Sequence, residues 1–441
     1  MISRKMAIGL LIFVQVLALS PYLFECALTY DGGLYASLGW SLYSEHAYRF
    51  NDQPGDVPPG FPLLVAPFFF FGEKGMYLGP LLASFVLVIS SFLLMEKRFG
   101  LLLGFLGALL IFTSTMVYTY SVYVLRDLPA VAFVMLSYLL YEKTRESQSR
   151  HRVLLLGLSM GMAFLIRYAS LIVLLPIILH ASYKKEKWFL IALIVGLLAV
   201  LPWSLWSYEN HGTPLKEHST YYLDSLTLEM SDNFALLKIF YSWFFPLLVP
   251  LSLIGVLVEV KDRGAKSIVN PYLLLFVFAF IAFLLWPVKD ERYLLPAVFP
   301  VVYFAMIPLS RIPRRLVVPI LVLFIFGQLW TGVHHVDTAK NKYDLLEDAG
   351  HWLRDNTTRD SRVMTQSFRQ IAFYSHRRTY EVPRCSWCPL GFIKSQNVTH
   401  ILIDSYERTT PKYIHQFVEE QGYRIVARFN DGYGEVVIYE V

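Results

Sequence analysis

Up to about residue 333 the chain alternates between long apolar runs and short polar loops. Runs that reach the roughly 17–25 residues needed to cross a bilayer fall near 6–28, 76–95, 100–120, 187–207, 236–260, 270–287, 293–310 and 316–333. A shorter run, 128–142, is bounded by Asp127 and Glu142 and sits near the lower limit. The stretch 153–183 is interrupted by Arg167-Tyr168 and is too short for two full spans, so it predicts a hairpin of two short helices with its tip inside the protein. This gives about eleven membrane helices, with segment 58–72 lying at the interface or re-entering. From about residue 338 the pattern becomes that of a water-soluble domain. Helical periodicity covers 343–354, and 362–365, 398–403, 423–429 and 435–441 read as strands. The expected fold is mainly α: a polytopic membrane part, 1–337, with a first outer loop over about 29–75, followed by a small α/β domain, 338–441.

Composition agrees with the pattern. The 441 residues are 55% hydrophobic and only 17% charged, with a mean hydropathy of +0.46, whereas soluble domains carry roughly 25% charged residues. The net charge of +5 lies in short loops between spans, where basic residues set orientation, so a nucleic-acid partner is a poor reading. With the N-terminus in the cytoplasm, seventeen Lys and Arg fall in cytoplasmic loops and seven in the opposite ones. That follows the positive-inside rule, and an odd number of helices puts the C-terminus outside. The N-terminal run lacks a small-residue cleavage site and reads as a retained helix. Among the three cysteines, Cys26 reads as a small buried hydrophobe. Cys385 and Cys388 form one CxxC, compatible with a local disulfide, plain thiols or a metal site. The sequons at Asn356 and Asn397 matter only in a glycosylating host. No internal repeat of the secondary-transporter kind is visible.

The candidate chemistry gathers on the outer face. Asp31 follows the first span, and a carboxylate at the mouth of a membrane helix is costly unless it has work or a partner. Gly32 and Gly33 then allow a turn or a close approach to a ligand. Arg126, Asp127 and the run from Lys289 to Tyr293 belong to the same face, with Arg167 able to reach it from the hairpin tip. Glu45, Asp52, Glu217 and Asp232 read as solvated loop charges, whereas Asp31 and Asp127 abut apolar helix. A structural pairing of Arg167 with an internal carboxylate is an open alternative to ligand binding. Arginine forks and lysine point charges suit a phosphate at headgroup depth, and a nucleophilic hydroxyl wants a carboxylate as general base.

Tyr30-Asp-Gly-Gly-Leu-Tyr35, Pro58-Pro-Gly-Phe-Pro-Leu-Leu-Val-Ala66, Leu125-Arg-Asp-Leu-Pro129, Gly161-Met-Ala-Phe-Leu-Ile-Arg-Tyr168 and Glu291-Arg-Tyr-Leu-Leu-Pro296 resemble the recurring stations of GT-C glycosyltransferases. The branch is that of dolichyl-phosphate-mannose–protein mannosyltransferases and bacterial aminoarabinose transferases, over roughly residues 6–333. The resemblance implies an inverting membrane enzyme with a polyprenyl-phosphate sugar as donor. It implies catalytic roles for Asp31, as general base or acceptor-positioning group, and for Asp127. It puts Arg167, Arg292 and Tyr293 against the lipid phosphate or sugar, and Arg126 and Lys289 join them as expected substrate-binding side chains. Many members carry a second acidic residue after the position of Asp31, where this chain has Gly32. That departure disfavours a bound divalent cation, so no cofactor is expected.

The resulting expectation is transfer of a hexose from a dolichyl- or undecaprenyl-phosphate carrier to a protein, glycan or lipid hydroxyl on the outer face. A transporter or flippase for lipid-linked sugars is the rival reading, but it would need polar residues along a path through the membrane. A third is a non-enzymatic assembly protein whose outer domain binds partners, which would tolerate Asp31→Asn.

Overall fold

The computed structural model describes residues 3–217, 247–285, 290–385, 388–406, 410–432 and 434–441. They fall into two compact units. The first comprises Met1–Phe24, Asp56–Phe61 and Tyr77–Val336; the second comprises Glu25–Gly55, Pro62–Met76 and Asp337–Val441.

The first unit is helical. Its apolar runs become helices because a backbone out of reach of water must satisfy its own hydrogen bonds. Among the described residues, four helices are long and apolar enough to cross a membrane: Glu73–Phe99, Trp188–His211, Glu291–Leu309 and Arg314–Ala339. The most apolar stretch of Glu291–Leu309 is 78% buried, whereas that of Trp188–His211 is only 17% buried. Leu197 and Leu198 stand exposed on the latter, and Phe326 and Trp330 on Arg314–Ala339. So much outward apolar surface is stable in lipid and not in water. The chain is an integral membrane protein.

The expected break at the hairpin tip is present. One helix runs Arg150–Ile166 and the next Ser170–Tyr183, and between them Arg167 is extended (φ −155°, ψ 119°). The helix expected over 128–142 is longer, Asp127–Glu146. Hydropathy undercounts it because its last turn is polar and held by ion pairs from Lys97 to Glu142 (2.9 Å) and Glu146 (2.8 Å). The run 100–120 is divided at Ser114, which separates Leu101–Thr113 from Thr115–Tyr120. Helix Arg150–Ile166 packs backbone to backbone on Trp188–His211. A Cβ on Gly161 would lie 2.9 Å from the Gly196 carbonyl oxygen, so the small residues set the separation.

The second unit begins with helix Tyr30–Ser44 and a short antiparallel hairpin, β1 (Arg49–Phe50) and β2 (Gln53–Pro54). Its turn residues Asn51 and Asp52 both have positive φ, as a tight hairpin turn requires. The later strands are β3 (Arg362–Met364), β4 (Arg378–Tyr380), β5 (His400–Asp404), β6 (Arg424–Asn430) and β7 (Glu435–Glu440). They form one sheet in the order β4-β3-β5-β7-β6. β3 is parallel to β4 and β5, and β7 is antiparallel to β5 and β6. Alternation divides the side chains between two cores. Val363, Leu402 and Ile438 pack with helix Asp344–Asn356, while Met364, Ile401 and Ile403 pack with helix Tyr413–Glu420. The four strands expected from the sequence are found, and β4 adds a fifth. Cys385 and Cys388 are joined as a disulfide, which decides among the alternatives their spacing left open.

Candidate functional site

In the first unit, Asp127 opens helix Asp127–Glu146, where the helix dipole favours a carboxylate. The extended backbone at Arg167 ends its own helix and lets the side chain reach Asp127, with which it forms an ion pair. Asp127 is 4% exposed, so its charge is sustained by that partner. Arg292 lies in the turn Glu291–Leu294, capped by the Asp290 side chain, which accepts the Arg292 amide at 3.1 Å and pairs with its guanidinium at 3.1 Å. The Tyr293 ring takes the Arg167 guanidinium at 4.6 Å and that of Arg292 at 5.4 Å, two cation–π contacts on one aromatic. Asp127, Arg167, Arg292 and Tyr293 line a narrow pocket of about 50 Å³ whose other walls are mainly apolar, among them Val131, Val134, Ile172, Val173 and Pro296. That volume holds a few waters or one compact group.

Arg126, expected to bind substrate, instead donates to Glu217 at 2.5 Å, with both side chains largely buried. Glu217 read as a solvated loop charge; its partner, 91 residues away in the chain, leaves no local signal. Lys289 lies outside the described residues.

Asp31 belongs to the second unit. The sequence suggested a loop there, but Asp31 sits in the first turn of helix Tyr30–Ser44, whose cap Thr29 accepts the Gly32 amide at 3.1 Å. Its carboxylate accepts a hydrogen bond from Arg369 at 2.9 Å, and the Arg369 guanidinium lies 4.5 Å from the centre of the Tyr30 ring. The Arg369 side chain is 10% exposed and that of Asp31 31%, so the carboxylate is anchored yet open to solvent. Gly33 serves close approach rather than a turn: a Cβ there would lie 2.6 Å from the backbone of Arg369 and Gln370. Gly33→Ala should push that segment away, destabilise the second unit by about 1–3 kcal/mol as overpacking does, and loosen the Arg369–Asp31 contact. A melting temperature within a degree of the parent would show that the segment yields freely.

Arg369 was not singled out in the sequence. It lies 338 positions from Asp31, in a helix of eight residues, Phe368–Ser375, so no spacing rule reaches it. Nor was Glu73, whose carboxylate takes Arg354 at 2.8 Å, His351 at 3.3 Å and His376 at 3.4 Å. Among the described residues, no group of three or more His, Cys, Asp or Glu is arranged to hold a metal ion.

Residues 56–206 match the family model described as dolichyl-phosphate-mannose-protein mannosyltransferase. No curated protein matches the chain in sequence. Among solved structures, ArnT from Cupriavidus metallidurans bound to undecaprenyl phosphate superposes with a TM-score of 0.71 at 13% identity, covering 99% of this chain and 98% of ArnT. ArnT in the apo state gives 0.70 at 12% identity, covering 98% and 97%. The chain and ArnT share one fold. The mycobacterial arabinofuranosyltransferase AftD extends the same likeness, with a TM-score of 0.59 at 13% identity over 99% of this chain and 41% of AftD. The matched stretch 56–206 contains Asp127 and Arg167, so part of the charged pocket lies where the likeness is also legible in sequence.

Proposed function

We propose that this chain is a GT-C glycosyltransferase that transfers a hexose, such as mannose or glucose, from a dolichyl- or undecaprenyl-phosphate carrier to a hydroxyl of a protein, glycan or lipid outside the cytoplasm. The observation that carries the reading is the pocket of the first unit. Charged groups from Asp127, Arg167 and Arg292 stand beside mainly apolar walls, which suits a phosphate ester carried on a hydrocarbon. The matching family, dolichyl-phosphate-mannose-protein mannosyltransferase, and the undecaprenyl phosphate bound by ArnT support the same donor class.

In the proposed step the acceptor oxygen attacks the anomeric carbon as the bond from that carbon to the phosphate oxygen breaks. The configuration inverts, Asp31 takes the acceptor proton, and the polyprenyl phosphate leaves with both electrons of the broken bond. Arg167 and Arg292 offset the charge that grows on the departing phosphate. Asp127 holds Arg167 in place, and Tyr293 orients both guanidinium groups. The step is metal-independent: Asp31 already has a guanidinium partner in Arg369, and a divalent cation would have to compete with it. About eleven membrane helices, a cytoplasmic N-terminus and an outer C-terminal α/β domain complete the proposal, which the loop charges support.

Arg292 gives the direct test. An arginine can fork two phosphate oxygens, whereas a lysine offers a point charge. Arg292→Lys should raise the donor KM about tenfold and Arg292→Ala further still, with folding retained; one charge-assisted hydrogen bond is worth roughly that factor or more. An Arg292→Ala enzyme that folds normally with unchanged donor dependence would assign the residue to anchoring its loop through Asp290 and remove it from the site.

A further inference from the structure

The second unit contains a recess of 720 Å³, within the range of roughly 300–1,000 Å³ typical of ligand sites. It is walled by the far half of helix Tyr30–Ser44, the β1–β2 hairpin, and residues near 354–359 and 372–378. Five arginines line it, Arg49, Arg354, Arg359, Arg377 and Arg378, against two carboxylates, Glu45 and Asp52. The ion pairs do not balance this excess. Arg49 takes Glu45 at 2.7 Å and Asp52 at 3.8 Å, Arg378 also pairs with Asp52, and Arg354 turns to Glu73 at 2.8 Å and Asp355 at 3.2 Å.

Two cations remain. Arg377 is 8% exposed, and all its bonds go to neutral oxygens: the Thr357 hydroxyl (3.1 Å) and carbonyl (2.8 Å) and the carbonyls of Arg354 (2.6 Å), Ser375 (3.1 Å) and His376 (3.5 Å). Burial, followed by the charges of Arg359 and Arg354, holds its guanidinium below the usual arginine range. Arg359 is exposed and makes no ion pair or hydrogen bond among the described residues. A buried cation with two like neighbours is costly unless an anion joins it. The recess also presents the ring of Trp40, stacked on His376 at 5.0 Å, and the buried hydroxyl oxygen of Ser37, which has no hydrogen-bond partner among the described residues.

We propose that this recess is an acceptor subsite for a glycan carrying negative charge, as carboxylate or phosphate. This rests on the transfer reading and deepens it by naming the acceptor's class. Arg359 and Arg377 meet the charged group, Trp40 packs along a sugar ring, and Ser37 with Glu45 and Asp52 meets sugar hydroxyls. The two carboxylates argue against a flat anionic surface, which they would repel. At 1.5 Å rise per residue, Ser41 stands about 15 Å along the same helix from Asp31, a separation that lets a chain be held here while its terminal hydroxyl is presented elsewhere.

The test is binding to the purified full-length protein in detergent, by calorimetry at low and moderate salt. The probes are an oligogalacturonate hexasaccharide, uncharged maltohexaose and inorganic phosphate. The oligogalacturonate should bind at least about thirtyfold more tightly than maltohexaose. Arg359→Glu should weaken it at least tenfold without lowering the melting temperature, while Arg424→Glu, the same charge change on the exposed strand β6, should leave it unchanged. Equal affinity for the two hexasaccharides, or equal weakening by the two substitutions, overturns the proposal. Phosphate binding as tightly as the acidic hexasaccharide marks a simple anion site and overturns the glycan assignment. The transfer reading fails separately: an Asp31→Asn protein that still transfers sugar would sink that reading whatever these titrations give.

Discussion

Asp31→Asn is expected to lower sugar transfer by at least about 100-fold, the low end of what a positioned general base contributes, with membrane insertion and melting temperature near those of the parent. Asparagine keeps the size of the side chain, and its amide oxygen can still accept the hydrogen bond that Arg369 donates at 2.9 Å. What it lacks is a site for the acceptor's proton. The parent rate should also be unchanged by EDTA, because hard cations need several oxygen ligands and the carboxylate is held by a guanidinium. Turnover of the Asn variant within tenfold of the parent would remove Asp31 as the base. Loss reversed by Mn²⁺ or Mg²⁺ after chelation would replace the metal-independent step with a metal-assisted one.

The second large effect is expected at the Asp127–Arg167 pair. Arg167→Ala leaves a carboxylate that is 4% exposed without its cation. Breaking a buried pair from one side costs about 3–5 kcal/mol, so both yield and thermal stability should fall sharply. The double variant Asp127→Asn with Arg167→Gln replaces the ion pair by neutral groups of similar length and should recover most of that loss. Transfer should stay at least about 100-fold down in the double variant, as when a donor to developing negative charge is removed. Parent-like transfer by a stable double variant would make the pair an anchor for the hairpin tip and nothing more. The comparison is informative because the double variant regains stability without turnover under the first reading and regains both under the second.

The fold is kept at 12–13% identity to ArnT for a reason visible in the helices themselves. A lipid-facing helix such as Trp188–His211 needs apolar side chains but no particular ones, since dispersion contacts with acyl chains are unspecific. Positions such as Gly157 and Gly161, where a Cβ would meet the facing helix, are far less free.

Features set by local physics were legible in the chain. Hydropathy over a span length marked helices such as Leu78–Phe99 and Arg314–Ala339, because the bilayer imposes its thickness on the sequence. The polar pair Arg167-Tyr168 within an apolar run marked the break between Arg150–Ile166 and Ser170–Tyr183, since a buried charge there is tolerated only with a purpose. Short runs rich in branched apolar residues marked β5 and β7, whose neighbouring residues face different cores. The charged stations at Asp127, Arg167 and Arg292 were legible too, and they do line one pocket.

Partnership was decided only by the tertiary structure. Asp31 finds Arg369, and Arg126 finds Glu217, across sequence separations of 338 and 91 that no periodicity spans. Gly33 read as allowing a turn or a close approach to a ligand and is a clearance for the Arg369 backbone, because glycine has the same letter whether it is needed for its φ or for its missing side chain. Arg359 and Arg377 carry no local signal that separates them from the other charges of the soluble domain. Their excess over nearby carboxylates arises only when the hairpin, a helix end and two loops close on one recess. Hydropathy and alternation are properties of neighbours along the chain, whereas the field at a site is a sum over neighbours in space, and that sum exists only once the chain has folded.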